Sequence, residues 1–143
     1  MRSVLILNGP NLNLLGSREP AVYGSDTLDE IGAALHAQGA KLGIGIDMRQ
    51  SNHEGHLIDW LHEAAETKAI AVILNAGGFT HTSVALRDAI AAIDVPVIEV
   101  HLSNPQARES FRRRSLIAGV CKGSISGFGA QSYALALDAA ARL

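Results

Sequence analysis

Apolar, largely β-branched runs recur along the chain at residues 4–7, 44–48, 71–74 and 97–100, with a weaker run at 123–126. Short continuous runs of this kind are what parallel strands covered on both faces require, because neither side of the pleat meets water. Between them the spacing changes to three and four. Leu28, Ile31, Leu35 and Leu42 fall on one helical face, preceded by Thr27 and Glu30 in a capping-box arrangement. Leu57, Ile58, Leu61 and Ala65 form a second stripe, and Leu86, Ala89, Ile90 and Ile93 a third. Tyr133, Ala136, Leu137 and Ala140 form the last, and a shorter helix is expected to start near Pro105. Strands alternating with helices predict an α/β, flavodoxin-like doubly wound sheet of five parallel strands flanked by helices. No repeat, low-complexity tract or linker interrupts the pattern, so residues 1–143 read as a single catalytic domain.

Composition narrows the class of partner. Apolar residues make up 48% of the chain, yet no uninterrupted run approaches the roughly 18 residues that cross a bilayer. The net charge of −2, without a basic block, argues against nucleic acid as a partner. Cys121 is the single cysteine and cannot form an internal disulfide, which fits a reducing, cytoplasmic setting.

The segment NGPNLNLLGSREPAVYG, residues 8–24, follows the first apolar run. It is too polar for core and too long for a simple strand-to-helix turn. It carries amides, an arginine and a tyrosine at a strand end, where α/β proteins place their chemistry. The other strands also end in polar groups: Gln50, Ser51 and Asn52; Asn75; and His101, Ser103 and Asn104. Taken singly, each is also a common turn former or helix cap. Taken together, they are expected to converge on one crevice at the carboxyl edge of the sheet.

His81 and Asp88 are two helical turns apart and are expected on one face, with Asp88 far from the crevice unless it serves a neighbouring subunit. Glu99 and His101 alternate along a strand and so point to the same side. A carboxylate beside an imidazole fixes its tautomer and stabilises its protonated form, an arrangement suited to a general acid. Arg108, Arg112, Arg113 and Arg114 follow and suggest an anionic ligand. His53, Glu54 and His56 lack the spacing of a metal site, and capping or surface roles are expected of them. Gly127-Phe128-Gly129 lacks the third glycine of a dinucleotide fingerprint and reads as a tight turn.

Four segments together resemble one family: residues 8–24, QSNHEG at 50–55, NAGGFTHTSVALRDA at 75–89, and EVHLSN at 99–104 with the following ARESFRRRS. In their order, spacing and total length the chain is similar to type II 3-dehydroquinate dehydratases over essentially its whole length. That resemblance implies dehydration of 3-dehydroquinate to 3-dehydroshikimate, in the shikimate pathway or in quinate breakdown. It implies no metal or organic cofactor, and a homo-oligomer, a dodecamer built as a tetramer of trimers. By position, Tyr23 matches the family's base and His101 its acid, with Glu99 behind the histidine. Arg18 and Arg108 match the arginines beside the tyrosine, and Asn11 sits in the same loop. Asn75, His81, Leu102, Ser103 and Arg112 match positions that hold the substrate's carboxylate and hydroxyls, and Asp88 one supplied by an adjacent subunit. The chain departs from the family's more frequent pattern at Gly78-Phe79 and Pro105-Gln106. Neither departure removes a group assigned to chemistry.

These residue types suit the implied reaction. A phenol is a poor base near neutrality, and adjacent guanidinium charge favours the phenolate. The enolate formed needs hydrogen-bond donors, and the leaving hydroxyl needs a proton. Lys41, Lys68 and Lys122 all precede strands, away from the expected crevice, which fits a mechanism without a Schiff base. A binding protein for a flavin or another phosphate ligand is the rival reading, supported only by the fold and the glycine pair.

Overall fold

The computed structural model describes residues 2–143. Strands β1 Ser3–Asn8, β2 Gly45–Gln50, β3 Ala71–Asn75, β4 Val97–His101 and β5 Gly123–Ser126 pair in parallel in the order β2-β1-β3-β4-β5. Helices α1 Pro20–Tyr23, α2 Leu28–Leu42, α3 Glu54–Glu66, α4 Val84–Ala91 and α5 Gln131–Ala141 connect or follow them. This is the flavodoxin-like architecture that the alternation predicts.

The alternating side chains of β1 divide the core into two layers. Val4 and Ile6 meet Ile31 and Leu35 of α2 and Tyr133, Ala136 and Leu137 of α5. Leu5 and Leu7 meet Leu57 and Leu61 of α3 and Leu86 and Ile90 of α4 on the opposite face. Each fully buried aliphatic side chain contributes about 1.5–3 kcal/mol, so the central strands β1 and β3 anchor the fold. β2 is an edge strand and is only partly buried, in keeping with the Asp47, Arg49 and Gln50 it carries.

Local chemistry sets where the helices begin. The Thr27 hydroxyl accepts the Glu30 N–H at 3.1 Å, and the Glu30 carboxylate accepts the Thr27 N–H at 3.3 Å, completing the expected capping box. Ser83 Oγ accepts the Leu86 N–H at 2.9 Å and starts α4 at Val84. His81 therefore ends a separate 3₁₀ turn, Gly77–His81, and does not share a helix face with Asp88. Three other sequence expectations need correcting. Leu42 is 37% exposed at the end of α2, and the inner face of α3 carries Ala64 in preference to Ala65. The helix expected near Pro105 is instead two 3₁₀ turns, Pro105–Ala107 and Ser110–Arg112. That stretch has no apolar stripe to bury, since its one large apolar residue, Phe111, is 60% exposed, and a longer helix would gain no packing.

The direction of winding reverses between β1 and β3, and the two connections leave the sheet on opposite faces there. Register places Asn8 opposite both Gln50 and Asn75, so three amides form one rank at the carboxyl edge. The backbones beyond them touch closely. Gly9 donates its N–H to the Asn75 carbonyl at 2.8 Å, and a Cβ on Gly9 would come within 2.5 Å of the Ala76 carbonyl oxygen. Gly77, at φ +58°, lies against Pro10 in return. These contacts hold the two strand-end loops side by side.

Candidate active site

An open cavity of about 180 Å³ lies over this switch point. The loop after β1 contributes Asn11, Arg18 and Tyr23; the segment after β3 contributes Asn75 and His81; the end of β4 and the turns beyond it contribute His101, Leu102, Ser103, Arg108 and Arg112. Ten of the residues singled out in the sequence thus surround one space. Glu99 stands directly behind His101, and Asp88 is exposed on α4 away from the cavity.

The loop is ordered by residues beneath it. Gln50 Nε2 donates to the Gly9 carbonyl at 3.1 Å and to Asn52 Oδ1 at 3.2 Å. Asn52 Oδ1 in turn accepts the Asn11 backbone N–H at 3.0 Å. The polar residues after β2 therefore support the loop and do not line the cavity, contrary to the expectation that every strand end would contribute directly. An edge strand is too far out to reach across β1. Asn11 adopts φ 69°, a left-handed conformation that asparagine tolerates better than most residues. Asn104 also stays outside the cavity, where its side chain caps a turn by accepting the Gln106 N–H.

Tyr23 ends the single turn of α1 and is half-buried against the core. The Arg18 and Arg108 guanidinium carbons lie 4.7 and 5.0 Å from its ring centroid, so two cations flank one phenol. Arg108 also donates a long 3.4 Å hydrogen bond to Ser103 Oγ. Arg112 pairs with Glu109 at 3.0 Å, and that hydrogen bond holds the exposed Glu109 carboxyl below its usual range.

On another wall, Glu99 Oε2 accepts a 2.6 Å hydrogen bond from His101 Nε2. The carboxylate is 3% exposed and also accepts from Ser115 Oγ at 3.1 Å. With Nε2–H committed to Glu99, neutral His101 offers only a bare Nδ1; the doubly protonated ring adds an N–H that can be given away. His81 Nδ1 must donate to the Arg114 carbonyl, 2.8 Å away, because a carbonyl can only accept. Its Nε2 remains available to a ligand.

Sequence reasoning missed Ser115, and it treated Asn8 only as one polar group after a strand. Ser115 could have been found only through its contact with Glu99, 16 residues away. Among the described residues, no group of three His, Cys, Asp or Glu side chains is placed to hold a metal ion. His56 Nδ1 instead pairs with Ser51 Oγ at 2.7 Å, and Glu54 accepts from Ser83. The Phe128 N–H within the glycine pair is taken by Ser132 Oγ at 3.0 Å, so that segment is a closed turn.

The family model for dehydroquinase class II matches residues 2–141. A protein of Rhizobium johnstonii named 3-dehydroquinate dehydratase is 60% identical over 138 residues, covering 96% of this chain and 94% of its own. One of the same name from Thermus thermophilus is 58% identical, covering 94% and 90%. The crystal structure of type II dehydroquinase from Propionibacterium acnes superposes with a TM-score of 0.96 at 39% identity, covering 100% of this chain and 98% of that one.

Proposed function

This chain belongs to the class II dehydroquinase family, and from that premise we propose that it eliminates water from 3-dehydroquinate stepwise, with Tyr23 as base and His101 as acid. The overall activity is that of a type II 3-dehydroquinate dehydratase, a hydro-lyase of the shikimate pathway that forms no Schiff base. The observation that carries the finer reading is the pairing of two sites on one cavity. A phenol flanked by two guanidiniums faces it from one loop, and an imidazole backed by a buried carboxylate lines it from β4.

Tyr23, as phenolate, removes a proton from the carbon beside the ketone, and the C–H electrons move to the ketone oxygen as an enolate. Arg18 and Arg108 place two positive charges against the Tyr23 ring. Asn11, with its side chain free at the cavity rim, holds a water that donates to the enolate oxygen. The enolate then collapses: the carbonyl re-forms, a carbon–carbon double bond appears, and the C–O bond one carbon further on breaks. Protonated His101 gives its proton to the departing hydroxyl, which leaves as water. The proton on Tyr23 must return to His101 before the next turnover. Nothing is oxidised or reduced, so no redox cofactor enters the chemistry. Arg112, His81, Asn75, Ser103 and the backbone at Leu102 bind the carboxylate and hydroxyls and fix the ring between base and acid.

Turnover of 3-dehydroquinate, read as ultraviolet absorbance of the conjugated enone, tests this directly. Fast product formation by the wild type, with kcat for Tyr23→Phe lower by about 10²-fold or more, is the expected result. Near-normal turnover by Tyr23→Phe would remove it as the base. A folded wild-type protein silent on 3-dehydroquinate would overturn the reaction itself.

We further propose that the chain assembles as a dodecamer in the cytoplasm, with Asp88 completing a neighbouring subunit's site. The exposed Val84 and Asp88 on the outer side of α4 suit such a contact. Subunits separated by an interface substitution should lose activity along with assembly. Full activity in a monodisperse monomer would contradict this role for Asp88.

A further inference from the structure

Beneath the cavity lies a hydrogen-bonded chain that the proposed chemistry does not use. Tyr133 of α5 is fully buried, as is Asn8, and Asn75 is 3% exposed. Asn8 Nδ2 donates to the Arg49 carbonyl at 3.0 Å, Tyr133 Oη donates to Asn8 Oδ1 at 2.6 Å, and Asn75 Nδ2 donates to Tyr133 Oη at 2.9 Å. Asn75 Oδ1 closes the chain by accepting the Gly77 N–H at 3.2 Å.

Both ends of this chain have only one polarity. The Arg49 carbonyl can only accept, so Asn8 must turn its NH₂ toward it and its oxygen toward Tyr133. Tyr133 has a single O–H, and it is donated to Asn8 Oδ1. The phenol oxygen can then only accept from Asn75, whose oxygen is left for the Gly77 N–H, a group that can only donate. No amide in the chain can flip without placing two acceptors or two donors face to face in a buried site, at the cost of unmade buried hydrogen bonds. One Asn75 N–H is left over, with no protein acceptor among the described residues, and Asn75 borders the cavity.

We propose that Tyr133 is a positioning residue: through Asn8 and Asn75 it fixes which face of the Asn75 amide meets the ligand, presenting an N–H donor to a substrate hydroxyl. Burial holds the Tyr133 phenol protonated well above its ordinary range, which keeps its O–H donating to Asn8 across the working pH. The inference rests on the dehydratase reading for the identity of the substrate.

The test is the kinetics of Tyr133→Phe in the full-length protein with 3-dehydroquinate. Phenylalanine keeps the ring and removes only the hydroxyl. The relay predicts KM higher by about 3- to 10-fold with kcat within about twofold, because a donor used in binding has lost its fixed orientation. In an Asn75→Ala background the same change should alter KM by less than about twofold, since the group it positions is gone. Unchanged KM in Tyr133→Phe, or equal effects in both backgrounds, would overturn the relay while wild-type turnover still upheld the reaction. Absence of wild-type turnover would instead count against the dehydratase reading. Neutron diffraction of the deuterated wild-type protein decides the matter independently of any variant's folding. Deuterium on Tyr133 directed at Asn8 supports the relay, and deuterium directed at Asn75 overturns it.

Discussion

A methyl group on residue 9 would sit 2.5 Å from the Ala76 carbonyl oxygen and 2.7 Å from its carbon, both backbone atoms that cannot rotate away. Gly9 is therefore required by close approach, not by an unusual backbone angle, and the approach joins the two loops that border the cavity. Gly9→Ala should cost about 1–3 kcal/mol, the usual range for forcing extra volume into a packed site, read as a lower urea midpoint. An unchanged midpoint would mean that the loops separate freely. The residue scale also shows why candidate polar residues divided as they did. Asn104 caps a turn, whereas Asn75 is both a structural partner and a cavity residue. Their side-chain chemistry is alike, so only the surrounding acceptors separate them.

At the scale of elements, α2 is defined from both ends: the capping box opens it, and Gly43 at φ 70° closes it. Its inner face includes Gly32 and Gly39, and a Cβ on Gly39 would meet Ile46 at 2.6 Å, so the helix lies close on β2. Thr27→Ala removes the hydroxyl from the cap and should cost about 1 kcal/mol, measurable as a shift in urea midpoint with little change in activity. A neutral substitution would show that the helix end draws its stability from packing alone. α1 is the opposite case. Its four residues cannot be stable alone, and its order comes from the loop around it and from Tyr23 against the core.

For the whole molecule, the two groups whose protons are held most tightly by burial lie on opposite layers of the core. Burial, with a smaller contribution from Glu99, pushes the Cys121 thiol up to about 12, and burial raises the Tyr133 phenol as well. A raised acid binds its proton more tightly in the folded state, so the unfolded chain binds fewer protons once its own groups ionise. The resulting stability is full below about pH 8.5, where an exposed thiol begins to ionise, and is lost as pH rises toward the folded value. The urea midpoint should fall between pH 8 and 11, by less in Cys121→Ala, about these reference values. A midpoint flat across that range would show that the surroundings of the partly buried Cys121 do not hold its thiol proton.

The sequence by itself determined the five strands, the helix stripes, the capping box and the family, because these depend on local period and on motifs contiguous in the chain. Strand-end topology and the family resemblance together also pointed to ten residues that border the cavity, although topology wrongly added Gln50, Ser51, Asn52 and Asn104. How each of them is held there follows only from the tertiary structure. The groups after β2 support the loop because β2 is the outer strand, and the turns after Pro105 fail to form a helix because nothing covers them. Ser115 and Tyr133 became legible only through partners 16 and 58 residues away. A hydrogen bond between distant residues leaves no periodic trace in a sequence; it exists only once the chain has brought donor and acceptor together.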